Sequence, residues 1–120
     1  SILFWIGVIM MDRNLRDEVI QLHAHVCSGL ADTNRILLLY NLSENPRNVT
    51  ELAELLGVPQ PTVSRHLKIL RERGLVSAHR EGQAVIYQVS DPRIIQALDL
   101  LRSVMNNNLR SQAARADDLE

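Results

Sequence analysis

Between residues 60 and 68 the chain sets Gln60, Thr62, Ser64, Arg65 and Lys68 among Val63 and Leu67, with Leu70 following. The apolar three step by four and three, so in a helix they share one side and leave the polar ends on the other. Those ends carry the chemistry that reads DNA. Arginine pairs with the two acceptors of guanine, glutamine with adenine, and serine or threonine with a base or a phosphate. A second polar group, Arg80 and Gln83 with His79 beside them, suits phosphate or minor-groove contact. Residues 58–83 hold Arg65, Lys68, Arg71, Arg73 and Arg80 against Glu72 and Glu81, a local charge of +3 in a chain of net charge -1. The bland alternatives are a solvated helix face and a plain exposed turn. His66, on the flank beside Leu67, reads as a packed, hydrogen-bonded histidine rather than a base reader.

One further pair could do chemistry. His23 and Cys27 stand four apart on one helix face, a spacing able to hold a soft metal ion or to present a sensing thiol. An isolated cysteine beside an apolar stripe is more often packing, and that is the expectation for Cys27. No Ser/His/Asp grouping, glycine-rich phosphate loop or paired carboxylates rise above chance, so no catalysis and no cofactor are expected.

The elements that must position these groups follow from periodicity. Leu15, Val19, Leu22, Val26 and Leu30 mark a first helix with a single apolar stripe. Asp32 caps a second, holding Ile36, Leu37, Leu39 and Tyr40 and ending before Ser43-Glu44-Asn45-Pro46. Asn48 and Glu51 have the spacing of a capping box for a short helix whose Val49, Leu52, Leu55 and Leu56 face inward and which stops at Gly57. After the turn Gly57-Val58-Pro59, the helix carrying Gln60 to Lys68 begins, tolerates Pro61 in its first turn and ends at Gly74. Helix, short glycine turn, helix is the DNA-binding helix-turn-helix arrangement. Val76, Ala78, Val85, Tyr87 and Val89 then alternate on both sides of Glu81-Gly82-Gln83, which predicts a hairpin with a polar tip. Asp91-Pro92 opens a last helix in which Ile94, Leu98, Leu101 and Met105 step by four, three and four.

With 120 residues, 46% of them apolar, the chain has material for one core. The near balance of 13 basic and 14 acidic side chains excludes a uniformly basic coat, so a polyanion must be met by one face. A single cysteine forms no internal disulfide, which fits a reducing, cytoplasmic setting. Ser1 to Met11 is nearly all apolar, yet too short for a membrane span and unlike a signal peptide, so no membrane partner is expected. Residues 1–11 read as an N-terminal extension, disordered or foreign to the natural chain with a start at Met10 or Met11. The alternative is a segment packed on a dimer surface. The domain proper runs over 12–110, and 111–120 is a polar C-terminal tail. The stripes of the first and last helices exceed the needs of so small a core and point to self-association. The dimer interface is accordingly placed on Leu15, Val19, Leu22 and Val26 with Ile94, Leu98, Leu101 and Met105.

Four stretches together carry a resemblance: Gly29-Leu30-Ala31-Asp32-Thr33-Asn34-Arg35, Glu51-Leu52-Ala53-Glu54-Leu55-Leu56-Gly57-Val58, Thr62-Val63-Ser64-Arg65-His66-Leu67-Lys68-Ile69-Leu70 and Gly74-Leu75-Val76. Over roughly residues 15–105 the chain resembles the arsenical-resistance repressor (ArsR/SmtB) family of bacterial winged-helix regulators. The resemblance implies a homodimeric repressor that leaves its operator when an inducer binds, with the first and last helices forming the interface. It also implies where metals would bind in sensing members, and this chain departs there. Asn48-Val49-Thr50 stands where those members have Cys-x-Cys. Asp91-Pro92-Arg93 and Val104-Met105-Asn106-Asn107 stand where others have zinc-binding Asp-x-His and His-x-x-Glu or His-x-x-His. No metal site is therefore expected.

The expected fold is mainly α with a small β-hairpin, a dimeric winged helix-turn-helix. The expected function is a DNA-binding transcriptional repressor on double-stranded operator DNA with an inverted repeat, its small inducer unidentified. A winged-helix protein-interaction module is the alternative, and a small enzyme a weaker third. The basic, non-aromatic character of Gln60 to Lys68 separates the first two, since protein hot spots favour tryptophan, tyrosine and large apolar anchors.

Overall fold

Local signals start and stop the helices of this chain, and a small shared core holds the middle ones together. The computed structural model describes residues 1–118, without the side chains of residues 9–12. Helix α1 (Ile2–Gln21) runs into a π-helical turn (Leu22–Cys27) and a short α2 (Ser28–Leu30). Next come α3 (Thr33–Glu44), α4 (Val49–Leu56), α5 (Gln60–Glu72), strands β1 (Val76–Glu81) and β2 (Ala84–Val89), and α6 (Arg93–Asp118).

Each boundary has a chemical cause. Asp32 is extended and its carboxylate accepts from the amides of Asn34 and Arg35, starting α3. Asn48 Oδ1 accepts from the Glu51 amide at 2.9 Å while Glu51 Oε1 accepts from the Asn48 amide at 3.3 Å, the reciprocal box that opens α4. Gly57, at φ 67° and ψ 34°, ends α4 in the left-handed region that a side chain disfavours. Asn48→Ala removes the side-chain acceptor of the box and leaves the Glu51 amide without its partner, and about 1 kcal/mol of stability should go with it. That corresponds to a melting-temperature loss of roughly 4 °C, readable by calorimetry.

Leu38, Leu39, Leu42, Leu52, Val63, Leu67, Leu70, Leu75, Val76 and Leu98 are buried together, so α3, α4, α5, the start of the hairpin and α6 share one core. Leu55 is a correction to the inward set expected of α4, for its side chain is half exposed. Leu52 and Ala53 mark the buried direction of α4, and Leu55 lies about 160° around the helix from Ala53. The hairpin is antiparallel, in register from Val76 opposite Val89 to Glu81 opposite Ala84, and Gly82 takes its positive φ at the tip. Arg47 exchanges backbone hydrogen bonds with Tyr87, at 3.1 and 2.8 Å, and so stitches the hairpin to the α3–α4 connection.

Two features depart from the expected organisation. The stretch read as an extension outside the domain is continuous with α1, and Ile2, Leu3, Phe4, Trp5 and Ile6 are exposed on it. The Asn106–Asn108 run and residues 111–118 of the expected tail continue α6; free of glycine and proline and holding Ala113 and Ala114, they keep helical propensity without burial. Among the described residues, helix α6 is tied down only near its start, where Leu98 enters the core. Tyr40 Oη there donates to Asp99 at 2.7 Å, and the Arg102 guanidinium lies 5.2 Å from the Tyr40 ring centre. Burial and that bond to Asp99 raise the Tyr40 phenol above its ordinary pKa. With both end helices standing clear, the radius of gyration is 19.6 Å. A compact chain of this length would have about 14 Å.

Candidate nucleic-acid interface

Helix α5 sits on the core through Val63, Leu67 and Leu70, which fixes the opposite side toward solvent. Gln60, Ser64, Arg65 and Lys68 are exposed there and Thr62 is half-buried, so the structure brings the five polar residues singled out by spacing onto the start and outer side of one helix. Two contacts order them. The Arg65 guanidinium donates to Thr62 Oγ1 at 3.1 Å, and Gln60 Nε2 donates to Thr50 Oγ1 at 3.4 Å. Thr50 was not singled out by spacing, because it belongs to α4 and meets Gln60 only across the turn.

The hairpin tip carries exposed Arg80 and Gln83, with His79 Nε2 3.1 Å from Glu81 Oε1. Arg73, counted in the basic stretch, points elsewhere: its guanidinium donates to the Ala24 carbonyl in the π turn. The outward charge therefore rests on Arg65, Lys68, Arg71 and Arg80. His66 is packed, with only 15% of its side chain exposed, and its Nδ1 lies 3.3 Å from Arg35 Nη1. Burial pushes the neighbouring Asp32 carboxyl up, but the Arg35 and Asn34 amides and the nearby His66 and Arg35 side chains outweigh it, leaving the group below its ordinary value.

The two end helices expose Leu15, Val19, Leu22, Leu101 and Met105, while Val26 and Ile94 are half-buried against their own core. Leu98 is a correction to the interface set. It is 7% exposed in the single chain, because the last helix must lend one side chain to the core to stay attached. Cys27 is also corrected: its thiol is exposed, since the π turn carries it off the side that Val26 and Leu30 bury. His23 is exposed on the same turn.

At the head of α6 the Arg93 guanidinium forks onto Asp91, its nitrogens 2.7 to 3.1 Å from the carboxylate oxygens. That pairing and the Arg93 amide hold Asp91 down at about 2. Since its folded value lies below the ordinary 3.8, the Asp91 contribution to stability is present above 3.8 and lost as pH falls through about 2. The melting-temperature margin of the wild type over Asp91→Asn should therefore be level at neutral pH and vanish near that value. Among the described residues no three histidine, cysteine or acidic side chains gather as a metal site, and no helix is long and apolar enough to cross a membrane.

A helix pair joined by a glycine turn, a polar outer face on its second member and a two-stranded wing define a winged helix-turn-helix protein. The family model of the bacterial regulatory protein, arsR family, matches residues 32–78. The uncharacterized HTH-type transcriptional regulator Rv0081 of Mycobacterium tuberculosis is 34% identical over 104 residues, 86% of this chain and 91% of its own length. The crystal structure of Rv0081 superposes with a TM-score of 0.72 at 33% identity, covering 79% of this chain and 96% of that one. The chain belongs to the ArsR family of bacterial regulatory proteins. The HTH-type transcriptional repressor SmtB of M. tuberculosis is 40% identical over 74 residues, 62% of this chain, and the chain spans 55% of that repressor's length. An NMR structure from Mycobacterium bovis, the homodimeric winged helix-turn-helix DNA-binding domain of Mb0332, has a TM-score of 0.71 at 27% identity and covers 80% of this chain and 89% of that one. These relatives are named as transcriptional regulators or repressors.

Proposed function

We propose that the protein is a cytoplasmic, homodimeric transcriptional repressor that binds double-stranded operator DNA carrying an inverted repeat and is released by a small inducer. The observation that carries this reading is the exposed polar side of α5, which presents Gln60, Ser64, Arg65 and Lys68 from a helix anchored by three buried side chains. Arg65 reads a base, while Lys68 and the wing residue Arg80 hold phosphates. Gln83 supports the wing, and Thr62 and Ser64 reach base or phosphate. The dimer is supported by the apolar side chains of α1 and α6 that have no cover in their own chain, and by the homodimeric state of the M. bovis relative. A dimer of this kind places its half-sites about one helical turn, or a multiple, apart.

Selecting bound duplexes from a random pool and sequencing them tests the reading. A paired, inverted motif is the expected result, and recovery of unrelated sequences would refute it. For induction, His23 and Cys27 are the proposed sensing pair, because both are exposed on the π turn. Zinc, arsenite or a mild oxidant that releases DNA from the wild type but not from Cys27→Ser supports that role; release that survives in Cys27→Ser removes it.

A further inference from the structure

Arg35, in the first turn of α3, makes three contacts that lie off the DNA-reading face. Its Nε donates to the Gly29 carbonyl at 2.7 Å and its Nη2 to the Ser28 carbonyl at 3.3 Å, a fork over the end of the first helical rod. Nη1 lies 3.3 Å from His66 Nδ1, in the middle of α5. A guanidinium only donates, so Nδ1 is the acceptor and the His66 proton sits on Nε2, which lies 3.8 Å from Asp32 Oδ1.

The same end of the rod meets α5 at a second point. The Ala24 carbonyl takes a hydrogen bond from the Ser28 hydroxyl at 2.6 Å and another from Arg73, at the end of α5. Here the Ser28 amide bonds to the His23 carbonyl, five residues back, as the π turn requires. Packing is close: a Cβ on Gly29 would lie 2.9 Å from Leu75 Cδ1 and 3.5 Å from Arg73 Cγ. Elsewhere, among the described residues, α1 has no comparable attachment to its own chain and packs chiefly on the π turn that continues it.

We propose that Arg35 is a positioning residue for DNA reading, its guanidinium fixing the end of the α1 rod to the middle of α5 so that the two recognition helices of the dimer keep one spacing. This rests on the dimeric, DNA-binding reading above. If α1 is part of the dimer interface, any play between the rod and α5 is magnified at the DNA. A rotation of about 10° over an arm of about 20 Å displaces α5 by about 3.5 Å, one base-pair rise. Without the fork, each protomer still recognises a half-site, but the pair no longer prefers one separation.

The probes are duplexes bearing the inverted motif that the wild type selects, the same motif with one to three base pairs inserted between its halves, and a single half-site. Wild type should lose about a hundredfold of affinity on insertion. Arg35→Ala should lose about tenfold on the original duplex, discriminate spacing by less than about threefold, and keep its half-site affinity and its salt slope, since Arg35 holds no phosphate. Arg35→Lys should behave as Arg35→Ala, because a lysine carries the charge without the fork. Should Arg35→Ala not fold, His66 carries the test: His66→Leu removes the acceptor and should relax spacing, whereas His66→Asn can present an oxygen near Nδ1 and should restore it. Spacing preference unchanged in Arg35→Ala or His66→Leu overturns the proposal, as does a salt slope reduced by about one in Arg35→Ala. A wild type indifferent to spacing would overturn the dimeric reading itself and this inference with it; failure confined to the variants overturns the inference alone.

Discussion

Replacing Leu101 by glutamate is expected to leave a folded monomer that recognises single half-sites yet loses about a hundredfold or more of its affinity for the paired site. Leu101 is 63% exposed on α6, one turn beyond Leu98, so a carboxylate there meets water in the single chain and would meet apolar surface in the proposed dimer. Affinity for two linked half-sites comes largely from the second contact becoming intramolecular, and that advantage vanishes with the dimer. Leu98→Glu is not an equivalent probe. It would put a charge in the shared core and unfold the protein, confusing loss of assembly with loss of structure. Sedimentation at micromolar concentration and titration of single and paired half-sites decide the matter. A Leu101→Glu protein that remains dimeric would remove α6 from the interface.

Arg65→Ala should cost about 1 to 3 kcal/mol on the selected duplex, confined to one base pair of each half-site. Its guanidinium already leans on Thr62 Oγ1 at the start of α5, so little ordering remains to be done on binding. Lys68→Ala, one turn along the same side, should instead weaken binding to every duplex and lower the salt slope by about one unit. Measuring both variants at several salt concentrations, on selected and random DNA, separates the two roles. Equal losses on both DNAs for Arg65→Ala would assign that residue to phosphate.

Most of what could be read from the sequence was local. The cap at Asp32, the box of Asn48 and Glu51, the stop at Gly57 and the turn at Gly82 are each decided by side chains within about four residues of the backbone they serve. The outer side of α5 was equally legible, because Val63, Leu67 and Leu70 fix by period alone which side chains face away. The Arg35 fork was not. It joins residues 28, 29, 35 and 66, whose separations have no period, and only the packing of α3 between the rod and α5 brings them together. The π turn escaped for a related reason: Leu22, Val26 and Leu30 step as an α-helix would, and the extra residue in the turn answers to Ser28 and to Arg73, far along the chain. Leu98 shows the same limit, since a stripe reveals that a face is apolar but not which protomer covers it.

A free helix of 20 residues is marginal in water, and among the described residues α1 packs on little of its own chain beyond the π turn that continues it. In the proposed dimer, mass action would govern whether it is formed: each doubling of protein would raise the fraction whose α1 is held by a partner, and dilution would return it to an opening equilibrium. Amide exchange in α1 should slow as protein concentration rises while exchange in α5 stays constant. In a cell, scarce protomers would present an open, apolar first segment to proteases and plentiful ones would shield it, so the protein's lifetime would itself depend on its abundance.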